Sequence, residues 1–260
     1  MILLLGGTSE TASVAEALSL AGYKVLVSMA TEIPLNAKLP PGVSLRHGRL
    51  TELEMTALIR EKQIRAILDA THPYAEKARA TARYAAATAG IYYTTFIRPE
   101  ALREEDGIQR VHSHEEAAIT AFVQGKPVLL TTGSGNLQPY ARESERTGIA
   151  LFARVLPQAY SVKACRMAGI PDSRIITGRG PFSVEENIRQ IREYKIGTLV
   201  IKDSGAAGGV IEKVEAARQE NCNVLVIARP GRVSGNVFSD ISPLLEQLKI
   251  HVCPNASRNG

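Results

Sequence analysis

Short apolar runs alternate with helix-length amphipathic segments along almost the whole chain, and this alternation constrains the fold more than any other feature. In the first half the runs are ILLLG, KVLVSMA, VSLRHG, AILDAT and YYTTFIR, and in the second half PVLLTTG, LFARVL, RIITGRG, TLVIKDS and NVLVIAR. The second set starts near Pro127, Ala150, Arg174, Thr198 and Asn223. That spacing of about 24 residues is the span of one strand, one helix and two short turns. The runs are apolar on both faces, as parallel strands are when helices cover both sides of their sheet. Between them, Val14, Ala17, Leu18 and Ala21 follow i, i+3, i+4, i+7, and so do Ile241, Leu244, Leu245 and Leu248. Thr51 with Glu54, Ser113 with Glu116 and Ser183 with Glu186 have capping-box spacing at helix starts. Gly22, Gly90 and Gly125 stand where helices should stop.

The fold class expected is therefore α/β, with parallel sheets flanked by helices. These strands alone leave one sheet or two open. The stretch RPEALREEDGIQRVHS is polar and lacks strong periodicity. It places a domain boundary just after it, near Gly125, which gives domains 1–125 and 126–260. Aromatic residues make up 5% of the chain and tryptophan is absent, so the core is built from Leu, Ile, Val and Ala.

Several function classes recede on composition. The net charge of +5 is mild, which predicts no nucleic-acid partner and is compatible with an anionic small ligand. Cys165, Cys222 and Cys253 lie far apart and form no C-x-x-C pair, so neither disulfides nor a zinc cage is expected and a reducing cytoplasm fits. The opening apolar run is about five residues, with no basic segment before it, and does not read as a secretory signal. No run approaches the roughly 20 apolar residues that span a bilayer, so no membrane partner is expected.

Parallel α/β sheets bind ligands at the C-terminal ends of their strands. The first strand ends in Gly6-Gly7-Thr8-Ser9. Such a turn lets backbone approach an anion, with the helix N-terminus and two hydroxyls behind it. It is neither G-x-G-x-x-G nor a P-loop. On these residues alone, a plain turn and a phosphate cradle both stand open. The second strand ends Ser28-Met29-Ala30-Thr31, where a site for NAD often has an acidic residue on the ribose diol. Arg49 follows the third strand and suits a 2′-phosphate, which leans toward NADPH, although nearby Glu32 blurs the argument. The fourth strand ends Asp69-Ala70-Thr71-His72-Pro73-Tyr74-Ala75. Pro73 is expected in the first turn of the next helix, with His72 and Tyr74 at the ligand edge. Alternatively Asp69 and Thr71 simply cap that helix. His72 has no histidine at i+3 or i+4, so a metal site is not expected. His112 and His114 fall on a strand-to-helix junction and are expected to be solvated.

In the second half, Thr131-Thr132-Gly133-Ser134-Gly135, Gly178-Arg179-Gly180-Pro181-Phe182 and Lys202-Asp203-Ser204-Gly205 close three strands. A lysine ending an apolar strand needs an anionic partner, which is either a ligand or Asp203.

Taken together, MILLLGGTSE, DATHPYA, LLTTGS, FARVLP, GPFS and IKDSGAAGG stand in the order found in precorrin-6A reductases, which include the cobalt-precorrin-6A reductases of the anaerobic cobalamin route. The chain resembles that family over nearly its whole length. The resemblance implies a cytoplasmic enzyme that reduces one double bond of a tetrapyrrole macrocycle with NADPH or NADH. It also implies two Rossmann-like domains with the active site in the cleft between them. On that basis the dinucleotide falls to Gly7, Thr8, Ser9, Ser28, Arg49, Thr71, His72 and Tyr74. Lys202, Asp203 and Ser204 face it from the second domain. Arg98, Ser134, Arg179, Lys202 and Arg229 are candidates to hold the substrate's carboxylates. His72, Tyr74 and Lys202 are the candidate catalytic groups. Hydride transfer leaves most of the chemistry to cofactor and substrate, which suits a chain without an evident triad or carboxylate dyad. A short-chain reductase lacks support, since no Tyr-x-x-x-Lys pair is evident. A non-catalytic nucleotide sensor or carrier of two lobes is the reading from a different class.

Overall fold

The computed structural model describes residues 1–30, 39–102, 108–205, 208–231 and 235–254. Every apolar run named above forms a strand. The chain divides into two compact units, Met1–Arg98 with Gly231–Gly260, and Pro99–Pro230.

In the first unit, β1 (Ile2–Leu5), β2 (Val25–Met29), β3 (Val43–His47), β4 (Ala66–Asp69), β5 (Tyr92–Phe96) and a short β12 (Val237–Phe238) form a six-stranded sheet in the order β12-β5-β4-β1-β2-β3. All its pairings are parallel. This is the doubly wound order, in which the sheet reverses direction between β1 and β4. Alternate strand residues point to opposite faces. Ile2, Leu4, Val25, Val27 and Leu68 pack with α1 (Thr11–Leu20) and α9 (Ile241–His251), whereas Leu3, Leu5, Leu26 and Ile67 pack with α2 (Glu52–Glu61) and α3 (Glu76–Ala89). The two-sided apolar pattern of the strands follows from this double cover.

The second unit repeats the plan. Its sheet joins β6 (Gln109–Val111), β7 (Val128–Leu130), β8 (Leu151–Val155), β9 (Ile175–Thr177), β10 (Thr198–Lys202) and β11 (Asn223–Ile227) in the order β6-β11-β10-β7-β8-β9, again all parallel. Leu129, Leu199, Ile201, Val224 and Val226 face a core shared with α7 (Val184–Glu193) and α8 (Val210–Gln219). The opposite face meets α4 (His114–Ala121). α5 (Gln138–Thr147) and α6 (Ala159–Met167) complete the described helices of this unit.

The expected boundary at Gly125 falls inside the second unit. β6 pairs with β11, and α4 packs on β10 and β11. After β11 the chain returns to the first unit, where β12 adds to β5 and α9 packs on α1. Each sheet thus takes its sixth strand from the segment that follows the other unit's β5 or β11. β6 is a polar edge strand of three residues, so it carries no apolar signal that a sequence reading can detect.

The expected capping boxes at Thr51 and Ser183 are complete. At Ser113 the hydroxyl accepts from the Glu116 amide, but the Glu116 carboxylate takes the His112 amide instead. Pro73 departs from expectation. α3 starts at Glu76, and Ala75 N–H donates to His72 C=O at 2.8 Å, so Pro73 is the second residue of a turn ahead of the helix. No helix among the described residues is long and apolar enough to cross a membrane.

Candidate functional site

In the first unit, strand register alone brings the candidate residues together. Leu5 is level with Ser28 on one side and Asp69 on the other, and Ser28 is level with Arg46. The turns after β1, β2 and β4 therefore share one edge, where the sheet reverses.

After β1 the backbone turns within two glycines. A Cβ on Gly6 would stand 2.4 Å from Thr11 Cγ2, and Gly7 has φ +114°, so neither position accepts a side chain without strain. The amides of Gly7 and Thr8 were expected to face a ligand. They donate instead to the buried Thr11 Oγ1 at 3.0 and 3.1 Å. The Thr8 hydroxyl donates to Ala70 C=O at 3.2 Å and fastens this turn to the end of β4. What remains for an anion is the first turn of α1, which no side chain caps, since the Ser9 hydroxyl donates to Glu10 Oε1 at 3.2 Å. Glu10 at that turn opposes an anion, but Arg98 pairs with its carboxylate and also reaches Ser9 Oγ at 3.3 Å. Arg98 was expected to bind substrate. It lies in the first unit, on the glycine turn.

At the end of β2, Ser28 Oγ accepts from Arg46 Nη1 at 2.6 Å, and Arg46 is held further by the carbonyls of Gly48 and His47. Arg49, the cation named from sequence, is exposed beyond the end of β3. Arg46 was missed because it reads as an ordinary outward residue of a half-buried strand. Thr31 and Glu32 lie outside the described residues.

After β4, Asp69 is fully buried and organises the turn. Its Oδ1 accepts from the amide and hydroxyl of Thr71 at 2.9 and 2.6 Å. Its Oδ2 accepts from Arg79 Nε at 3.3 Å and from the Tyr93 hydroxyl at 2.8 Å. Burial, and then the Asp69 charge, push the Tyr93 pKa up to about 12, so its proton stays in this bond. Arg79 also donates to Pro73 C=O. Asp69 thus braces the turn and does not cap α3. Half-buried His72 and Tyr74 stand on that braced turn with ring centroids 5.5 Å apart.

In the second unit, Thr131 and Thr132 follow β7. The Thr131 hydroxyl donates to Val200 C=O, whereas Thr132 Oγ1 is buried with no partner among the described residues. Half-buried Ser134 lies just beyond. Lys202 ends β10, and burial lowers its pKa. His114, expected to be solvated, is instead half-buried beside it. Burial and then the Lys202 charge bring the His114 pKa down to about 4, and its Nδ1 lies 3.0 Å from the Tyr140 hydroxyl. The neutral ring therefore sits in the field of the lysine. Nothing local marks His114, because Tyr140 and Lys202 are both distant in sequence.

Asp203 and Arg229 have other work. Asp203 is buried, and its carboxylate accepts from the amides of Ala101, Leu102 and Gly205. Arg229 donates to the carbonyls of Asp203 and Pro99. Together they anchor the segment by which the chain enters this unit. The Ser204 amide closes a tight turn on Lys202 C=O. Arg179 is exposed on the turn between β9 and α7. Of the cations proposed for substrate in this unit, Arg179 is exposed and Lys202 is half-buried at the end of β10, whereas Arg229 is engaged with backbone carbonyls. Among the described residues, no cluster of three His, Cys, Asp or Glu side chains could hold a metal.

The sequence model of the family described as Precorrin-6x reductase CbiJ/CobK matches residues 1–249. A cobalt-precorrin-6A reductase from Priestia megaterium is 34% identical over 249 residues, covering 95% of this chain and 98% of the relative. One from Salmonella typhimurium is 34% identical over 236 residues, covering 88% and 87%. A precorrin-6A reductase from Rhodococcus erythropolis is 31% identical over 235 residues, covering 88% and 89%. Among solved structures, CobK precorrin-6A reductase superposes with a TM-score of 0.79 at 24% identity, covering 96% of this chain and 97% of that one, which shows the shared fold.

Proposed function

The chain belongs to the precorrin-6x reductase family, and from that premise we propose that it reduces a double bond of cobalt-precorrin-6A with a nicotinamide dinucleotide held by its first unit. The observation that carries the cofactor assignment is the register that sets the β1 turn, Ser28 with Arg46, and the Asp69-braced turn at one edge of a doubly wound sheet. The residues there fit the group. Gly6 and Gly7 keep the turn free of side chains, so the uncapped first turn of α1 can take the pyrophosphate, with Ser9 joining it when its hydroxyl turns from Glu10. Thr8 holds that turn against β4.

Ser28, Arg46 and Arg49 are the groups for the adenosine ribose. A cation docked on a hydroxyl suits a 2′-phosphate, so NADPH is the favoured donor. Thr71, His72 and Tyr74 border the nicotinamide end. When bound, that ring supplies the hydride, and the conjugated macrocycle accepts the electron pair. The protein's task is to hold the reacting carbons roughly 3–3.5 Å apart and keep water out. His72 and Tyr74 are the groups able to deliver a proton, and Asp69 fixes their turn. Lys202, Ser134 and Arg179 take the substrate's carboxylates from the second unit, with Thr132 Oγ1 as a further donor. The 34% relatives named for the cobalt form favour that form of the substrate.

The test is to supply cobalt-precorrin-6A or its metal-free counterpart with NADPH or NADH and follow loss of the reduced nicotinamide band. Fastest oxidation with the cobalt substrate and NADPH is expected. Tight NADPH binding without oxidation of any pair would instead identify a sensor.

A further inference from the structure

One buried side chain of the second unit, Arg154, holds Phe182 and two residues of α7 together and is not used by the reaction itself. Arg154, in β8, is 5% exposed. Its Nη1 donates to Asn187 Oδ1 at 2.8 Å and to Gln190 Oε1 at 2.9 Å, both on α7. Its guanidinium carbon lies 4.1 Å from the centroid of the Phe182 ring. Nη2 is buried with no partner among the described residues.

The Phe182 ring also packs closely against its own turn. A Cβ on Gly178 would stand 2.6 Å from Phe182 Cζ, and one on Gly180 would stand 3.4 Å from Cδ2. The neighbouring Pro181 packs on Gly209, the residue that opens α8, where an added Cβ would lie 3.2 Å from it. The turn from 178 to 183 is thus wedged between Arg154, its own glycines and the start of α8. Gly178 must be bare for the ring to fold back, whereas a side chain at Gly180 would meet the ring at ordinary contact distance, and the intervening Arg179 is exposed.

Arg154 is costly in this position. Burial lowers its pKa to about 10, and half-buried Lys213 nearby falls to about 8 through burial and then the Arg154 charge. An apolar side chain would fill the space at lower cost. The distinctive product of the cation is a planar surface that fixes one aromatic ring.

We propose that Arg154 is a positioning residue of the reductase: by clamping Phe182 it fixes the 178–183 turn so that Arg179 meets a substrate carboxylate. This rests on the substrate role given to Arg179 above. The experiment compares R154M, R154K, R179A and the R154M/R179A pair, each checked for folding by thermal melting. R154M and R179A each raise KM for the macrocycle about tenfold, the worth of one charge-assisted hydrogen bond, while NADPH affinity is unchanged. R154K keeps the charge without the planar surface and does not rescue. The double variant is no worse than R179A, because both remove the same contact. Hydrogen exchange at the amides of 178–180, 182 and 183 speeds up in R154M and not in R179A, a readout that needs no substrate. Additive effects on KM, or unaltered exchange in R154M, overturn the clamp. R179A with wild-type KM overturns the substrate role of Arg179 and the proposal with it, whatever the exchange shows.

Discussion

His114 opens α4 as its first residue, and its chemistry is set by groups that sequence proximity does not reveal. Its ordinary pKa of 6.5 falls to about 4, through burial first and the Lys202 ammonium second. The sign of the resulting pH dependence follows from which state takes the proton first. As pH falls below 6.5, the unfolded chain protonates this ring while the folded chain resists until about 4. The folded state therefore loses stability across that window and not above it. The ring is partly solvated, so screening reduces the effect to about 1–2 kcal/mol. H114Q should leave stability at neutral pH nearly unchanged and flatten the decline between pH 6.5 and 4. Urea midpoints at a series of pH values measure this, and parallel declines in both proteins would refute it. At the same scale, Pro73 was expected in the first turn of α3 and lies in a turn ahead of it, whereas the Gly6-Gly7 turn was legible because glycine beside a strand announces backbone geometry locally. Arg46 and His114 were not, because their roles depend on Ser28, Tyr140 and Lys202, which only the folded chain brings near.

At the scale of elements, α1 starts differently from α2 and α7. α2 and α7 satisfy their first amides with their own side chains, Thr51 with Glu54 and Ser183 with Glu186. Those boxes are readable because every partner lies within four residues. α1 has no side-chain cap, and its first side chain works backward: Thr11 Oγ1 accepts both the Gly7 and the Thr8 amides. No cap signature describes that arrangement, so it was not legible, although the glycine turn it supports was. The consequence can be tested. T11V keeps the shape of the side chain and leaves two amides without their acceptor. It should lower stability by about 1–3 kcal/mol and weaken NADPH binding, because the turn is no longer set. T11S should keep both properties close to wild type. Denaturant titration and cofactor titration read the two effects. A T11V protein within about 0.5 kcal/mol of wild type would show that the hydroxyl is dispensable.

At the scale of the whole molecule, the parallel α/β class was implied by the βα repeat, but the strand order and the partition of the chain were not. Polarity between 98 and 113 signalled a break, yet the signal marks a short edge strand that already belongs to the second sheet. The return of the chain after Pro230 was equally hidden, because β12 has two residues and α9 looks like any amphipathic helix. Its packing reveals where it belongs. Leu244 and Leu248 are fully buried in the core that also holds Ile2, Leu4 and Leu18, and the Tyr23 hydroxyl donates to Val252 C=O at 3.0 Å. Burial of each leucine is worth about 1.5–3 kcal/mol, so the two together account for much of a stability of roughly 5–15 kcal/mol. Ending the chain at Pro230 should therefore unfold the first unit selectively. Amides of β1, β2 and β4 should lose protection from hydrogen exchange and dinucleotide binding should disappear, while β7, β10 and β11 remain protected. A boundary at Gly125 predicts the opposite, since the truncation would then remove the last helix of the second domain and leave the first intact.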